Sequence, residues 1–160
     1  MATEDARFED GEDRPLNLKA NAPEDLEVIS SLLQDAVFPG SEMSWDQKRR
    51  QFAMLVNRFR WEDKPLAERR NRPYERVQSL LVVGDVGKVQ SQGVDRSEKD
   101  MVLSLLGLTF EPGPDGTGRV LLTLAGDGTI ALDVECLDVV LRDVTRPYIA
   151  PSGKAPDHPD

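Results

Sequence analysis

From Met43 onward the large apolar residues of this chain recur mostly at every second position, and each run is cut short by turn-forming residues. QFAMLVNRFR (51–60), ERVQSLLVV (75–83), MVLSLLGLTF (101–110), RVLLTLA (119–125) and TIALDVE (129–135) share this pattern, with VGKVQSQGV (86–94) a more polar version. Gly84-Asp85, EPGPDGTG (111–118) and Gly126-Asp127-Gly128 separate them. A side-chain period of two belongs to a strand with one buried face. Parallel neighbours need long crossovers, so many strands joined by short turns make a mainly antiparallel sheet. Both Gly84-Asp85 and Gly126-Asp127-Gly128 read as hairpin turns.

One helical period precedes this region. In EDLEVISSLLQDAV, residues Leu26, Ile29, Leu33 and Ala36 fall on one stripe, widened by Val28 and Leu32. Asn21 with Glu24 three residues on fits a capping box, and Phe38-Pro39-Gly40 reads as the stop. The spacing predicts a helix over 23–36, after a short strand at 16–20. Met43 and Trp45 share a strand face, and a polar turn leads into 51–60 as its antiparallel partner. Both faces of 52–56 are apolar, which places that strand centrally. The segment 62–75 has two prolines and reads as a long charged loop. Over 136–145 two readings stand: a strand whose alternation slips at a bulge, or a helix striped by Leu137, Val140, Leu141 and Val144. The expected fold is α+β, with one N-terminal amphipathic helix and about seven mostly antiparallel strands in a curled sheet, roll or partial barrel.

Length bounds the rest. The 160 residues suit one domain, expected over 15–149 between two flexible tails. Residues 1–14 hold six acids and two arginines with Phe8 as the one large apolar side chain, and 150–160 hold three prolines; neither can bury enough apolar surface to offset its ordering entropy. The net charge of −9 is unevenly spread: −6 over residues 1–30, +3 over 31–80 and −6 over 81–160. That balance argues against a nucleic-acid partner, whose binding needs a concentrated basic face. The longest apolar runs fall far short of the roughly 20 residues that span a bilayer, so no membrane association is expected. With one cysteine and no secretory signal pattern, a cytoplasmic location is expected.

The residues also limit the chemistry. The single histidine, His158, lies two positions before the last residue, and Cys136 is the single cysteine. A His-based triad or a Cys–His dyad would need His158 held in place from a tail, and one His with one Cys is too few for a zinc site, so no metal or cofactor is expected. GDVGKVQ (84–90) lacks the spacing and the Ser or Thr of a phosphate loop. Asp133 and Glu135 share a strand face and read as solvated carboxylates, while Cys136 reads as a buried structural thiol on the apolar face.

What remains is NRFRWED (57–63), in the net-basic segment. Arg58 and Arg60 point the same way, about 7 Å apart on a strand. Two guanidiniums so placed can grip a carboxylate or phosphate, and Trp61 adds an aromatic contact surface. Arg76 and Arg96 open and close the next expected hairpin and extend the patch, with Glu62 beside it. The expected function is a non-catalytic binding or interaction module that uses Arg58, Arg60, Trp61, Glu62, Arg76 and Arg96 to meet a protein partner or a second copy through a sheet edge. An alternative is a small anionic-ligand site or an enzyme cleft with Asp35, Glu62 and Asp95 as its acids. The same residues would also arise without any function, as arginines paired with neighbouring carboxylates and a core tryptophan whose indole is bonded locally.

EDLEVISSLLQDAV, RRQFAMLVNRFRWED, GVDRSEKDMVLSLLGLTFE, TIALDVECLDVVLRDV and the closing PDHP together resemble the bacterial family of domain of unknown function 2948, over about residues 15–159. The resemblance implies domain limits and a cytoplasmic protein. It carries no chemistry.

Overall fold

A computed structural model describes residues 14–94, 98, 100–151 and 154–156. Expectations for Asp95, Arg96, His158 and nearly all of the two tails lie outside these residues.

The elements in order are β1 (Asn17–Ala20), α1 (Pro23–Leu32), β2 (Ala36–Pro39), β3 (Met43–Asp46), β4 (Gln51–Phe59), α2 (Lys64–Arg69), β5 (Glu75–Val83), β6 (Val86–Gln92), β7 (Val102–Pro112), β8 (Gly118–Leu124), β9 (Thr129–Val134), β10 (Val139–Asp143) and β11 (Tyr148–Ile149). Single 3-10 turns occupy Gly40–Glu42, Trp61–Asp63 and Pro114–Gly116. The strands form one sheet in the order β1-β10-β5-β4-β2-β7-β8-β9-β6, with β3 on β4 and β11 on β5. Every pairing is antiparallel. The path has two free ends, so the sheet does not close.

The antiparallel sheet and the central place of β4 agree with the alternation in the sequence. Phe52, Met54 and Val56 of β4 join Leu81 and Val83 of β5, Leu105, Leu122 and Leu132 from the β7–β9 meander, and Leu26, Ile29 and Leu33 of α1 in a single core. The hairpin of β3 with β4 and that of β8 with β9 also form as expected.

Several expectations are corrected. The described residues hold eleven strands where about seven are expected; the expected short strand ahead of the helix forms as β1. The helix stops at Leu32, and Ala36 is a strand residue. Asp35 takes φ +65° and its N–H donates to the Leu105 carbonyl at 2.8 Å. Pairing of Ala36–Pro39 with β7 thus claims Ala36, which the helical stripe had included. Asn21 does not cap the helix: the N-cap is Ala22, and the Asn21 amide donates to the Leu137 carbonyl at 3.2 Å. The charged loop 62–75 is largely helical, through the Trp61–Asp63 turn and α2, whose Ala67 is fully buried.

Gly84-Asp85 is a corner and not a hairpin, because β5 and β6 do not pair. β5 pairs with β10 up to Val83↔Val139, and β6 resumes with β9 at Val86↔Val134. The ribbon bends there as a unit, with Gly84 N–H donating to the Asp138 carbonyl at 2.8 Å and Glu135 N–H to the Asp85 carbonyl at 3.1 Å. The same corner decides between the two readings of 136–145. β9 and β10 are separate strands flanking it, and the slipped alternation marks the bend. Cys136 lies in this bend and is exposed, contrary to the buried thiol expected. It donates to Asp85 Oδ2 at 3.0 Å.

Candidate functional site

Arg58 and Arg60 occupy inward positions of β4 and the residue that follows it. The side face that begins with Phe52, Met54 and Val56 therefore stays inside the protein: Arg58 is 0% and Arg60 4% exposed. An inward arginine is tolerable only if its charge and donors are met, and Arg58 meets both conditions. Its Nη1 and Nη2 fork onto the two Glu62 oxygens at 2.9 Å each. Nη2 also reaches Asp143 Oδ1 at 3.0 Å and Oδ2 at 3.1 Å, and Nε donates to Ser79 Oγ at 3.0 Å. Ser79 in turn donates to Asp143 Oδ1 at 2.6 Å, and Leu16 N–H donates to Oδ2 at 3.0 Å. One buried carboxylate thus ties together β4, β5, β10 and the approach to β1.

Burial opposes the charge on Arg58, but the hydrogen bond and attraction from Glu62, then those from Asp143, outweigh it and hold its pKa above the ordinary arginine value. Burial likewise pushes the Glu62 carboxyl up, and the Arg58 hydrogen bond and charge more than reverse this, leaving it below the usual carboxylate range. Arg60 Nη1 meets Glu75 Oε1 at 2.5 Å, and Arg72 forks onto Asp63 at 2.7 and 2.6 Å. These arginines are occupied by the protein's own acids.

Trp61 is half-buried. Its indole N–H donates to the Gln34 carbonyl at 2.9 Å, and its ring meets Phe59 edge-on at 4.7 Å between centroids. Locally bonded tryptophan packing of this kind is structural. Of the acids weighed for a cleft, Glu62 is committed to Arg58, Asp35 acts electrostatically on Arg76, and Asp95 is outside the described residues.

Arg76 differs from the other three. It projects from the outer face of β5, half-buried, with Nε donating to Asn57 Oδ1 at 2.5 Å and Nη2 to the Asn57 carbonyl at 3.1 Å. No carboxylate lies within ion-pair distance of it among the described residues. Burial lowers its pKa, only partly offset by Tyr148 and Asp35. The structure therefore brings Arg58, Arg60 and Glu62 into one internal network and leaves Arg76 on the opposite side of the sheet.

A concavity lies elsewhere. A half-open cavity of about 480 Å³ is lined by Met43, Trp45, Phe52, Val89, Leu103 and Ile130, with Ser41, Ser44 and Ser91 among its polar residues. Phe52 and Arg58 are six residues apart on β4, about 20 Å at strand rise, so the cavity and the ionic network lie at opposite ends of that strand. Glu98 is the one ionisable side chain on its described wall. Sequence reasoning missed this site. The shared face of Met43 and Trp45 is legible, but its meeting with Val89, Leu103 and Ile130 depends on three other strands. Among the described residues, no group of three or more His, Cys, Asp and Glu is placed to hold a metal ion, and no helix is long and apolar enough to cross a membrane.

The family model for a protein of unknown function, DUF2948, matches residues 16–158. The chain belongs to the DUF2948 family. Comparison of this DUF2948 protein with curated proteins and with solved structures found no match. Its function therefore has to be argued from the geometry.

Proposed function

We propose that this DUF2948 protein is a non-catalytic binding module whose ligand seat is the apolar cavity between β3–β4 and the strands β6, β7 and β9. The observation that supports this reading is the cavity itself. Its volume of about 480 Å³ is in the range of small-molecule sites, about 300–1,000 Å³. Its wall is aromatic and aliphatic with a few hydroxyls, which suits recognition by shape. Among the described wall residues Glu98 is the single ionisable side chain, so that wall by itself presents no acid–base pair. Its aromatic and aliphatic lining favours a largely apolar ligand. Of the arginines expected to bind, Arg58 and Arg60 are engaged by the protein's own acids, and Arg96 lies outside the described residues.

The test uses N-phenyl-1-naphthylamine, a neutral apolar fluorophore. Saturable fluorescence enhancement with the intact protein is expected. Val89→Trp, which fills the cavity from a half-exposed position, should weaken binding at least tenfold while the thermal transition is retained. Unchanged binding by Val89→Trp, or no binding by the native chain, would overturn the reading.

A further inference from the structure

The outer face of the β1-β10-β5-β4 quarter of the sheet is separate from both the cavity and the ionic network. In antiparallel pairing, side chains of partnered residues lie on the same side of the sheet. Ala53 pairs with Val82 and Leu55 with Leu80 across β4 and β5. Val82 pairs with Val140 and Leu80 with Arg142 across β5 and β10. Their neighbours Met54, Leu81 and Leu141 are fully buried on the core side. The register therefore sets Ala53, Leu55, Leu80, Val82 and Val140 in one continuous apolar band on the outside. Val144, just beyond β10, extends it and is 46% exposed. α1 packs against β7 and, on the core side, β1; at the Arg76 end the face is covered, with Phe59 fully buried against Trp61 and Tyr74.

The charges around this band are all of one sign at the paired positions. Lys19 pairs with Val140, Arg142 with Leu80, and Arg76 with both Phe59 and Tyr148. Lys19, Arg76 and Arg142 form no ion pair among the described residues, and no acid occupies an outward position within these four strands. Asp35, Asp46 and Asp138 lie only at the periphery. A solvent-facing apolar band edged by unpaired cations is unexpected on a chain of net charge −9. Arg76 is the sharpest feature. It is half-buried against Asn57 without a counter-ion, and a carboxylate brought to it would offset the cost of its burial.

We propose that this face docks an acidic amphipathic helix of a partner protein, its apolar stripe on the Leu55–Leu80–Val82–Val140 band and its carboxylates on Arg76, Arg142 and Lys19. Strands lie about 4.8 Å apart, so β4, β5 and β10 span about 10 Å, the diameter of one helix. A helix laid on an open sheet face is one of the basic layer packings. Charge complementarity selects an acidic partner over a basic one, and the apolar band between the cations selects an amphipathic helix over a nucleic acid, whose phosphate backbone would bury nothing there.

The inference does not rest on the cavity reading, and the two are scored on different residues. A synthetic helical peptide about 20 residues long, with leucine on one face and glutamate on the other, is titrated into the isotopically labelled full chain. Amide shifts are expected at Leu55, Leu80, Val82, Val140 and Arg142, with none at Val89 or Leu103. Affinity should fall at least tenfold in Arg76→Glu and in Arg142→Glu, the second at an exposed position that leaves the core untouched. A peptide with lysine in place of glutamate should not bind. Shifts confined to the cavity residues, no shifts, or equal binding of the lysine peptide would overturn the proposal. So would shifts of the same face with protein concentration alone, which would make the occupant a second copy of the chain.

Discussion

Arg58 shows how one side chain reverses its role when its surroundings are known. On a strand end it resembles a solvated cation ready for an anion. Within the fold it is fully buried and clamps Asp143 and Glu62. Removing one partner of a buried ion pair costs about 3–5 kcal/mol, because the other charge stays uncompensated. Arg58→Met should therefore lower unfolding free energy by about that amount in urea titration, and replacing Asp143 by Asn in the same chain should recover part of it. Glu62 adds a pH dependence. Its folded pKa lies below the usual range because Arg58's attraction exceeds the burial cost. The unfolded chain, with a carboxylate pKa near 4.3, therefore binds the proton first as pH falls. The stability from this pair is complete above about pH 5 and is lost as pH drops through the folded value. Denaturation at stepped pH should show a smaller acid-side loss in Glu62→Gln than in the native chain. Cys136 lies at the same scale: the Asp85 hydrogen bond pushes its exposed thiol up, which favours the thiol over the more nucleophilic thiolate.

At the scale of elements, strands were legible wherever alternation ran for six residues or more. β4, β5, β7, β8 and β9 could be read because their inner faces are nearly all apolar and their outer faces mixed. The short strands β2 and β11 could not: Ala36 of β2 continues the helical stripe, β11 has two residues, and their pairing partners, β7 and β5, are remote in sequence. Residues 64–69 lacked an apolar stripe long enough to reveal α2. Gly84-Asp85 had the composition of a hairpin turn, yet the ribbon partner of β5 there is β10. Glycine decides one further element. A Cβ on Gly118 would lie 2.6 Å from the Glu111 carbonyl oxygen and inside the Phe110 ring. Gly118→Ala should therefore force apart the start of the β7–β8 hairpin. The overpacking cost is about 1–3 kcal/mol, read as a lower thermal midpoint with native far-ultraviolet dichroism.

Across the whole molecule, the sheet assigns its surfaces to different tasks. β4 carries an ionic cluster at one end and an apolar cavity at the other, while the outer face it shares with β5 and β10 combines apolar residues with unpaired cations. The positive middle segment of the sequence does not become one positive patch. Arg58, Arg60 and Arg72 are neutralised inside, and the exposed cationic face draws instead on Lys19, Arg76 and Arg142. Charge counted along the chain therefore differs from charge presented to a partner. Of the expected site residues, Arg76 is the described cation left to meet one.

By itself the sequence determined an antiparallel sheet with a helix on its core and the central position of β4, because these depend on local period. Only the tertiary structure decided that NRFRWED turns inward, that 136–145 bends at a corner, and that a cavity opens beside Trp45. Each of these depends on strands far apart in the chain, and an isolated run of alternating residues does not record which remote carboxylate, carbonyl or apolar wall it will meet.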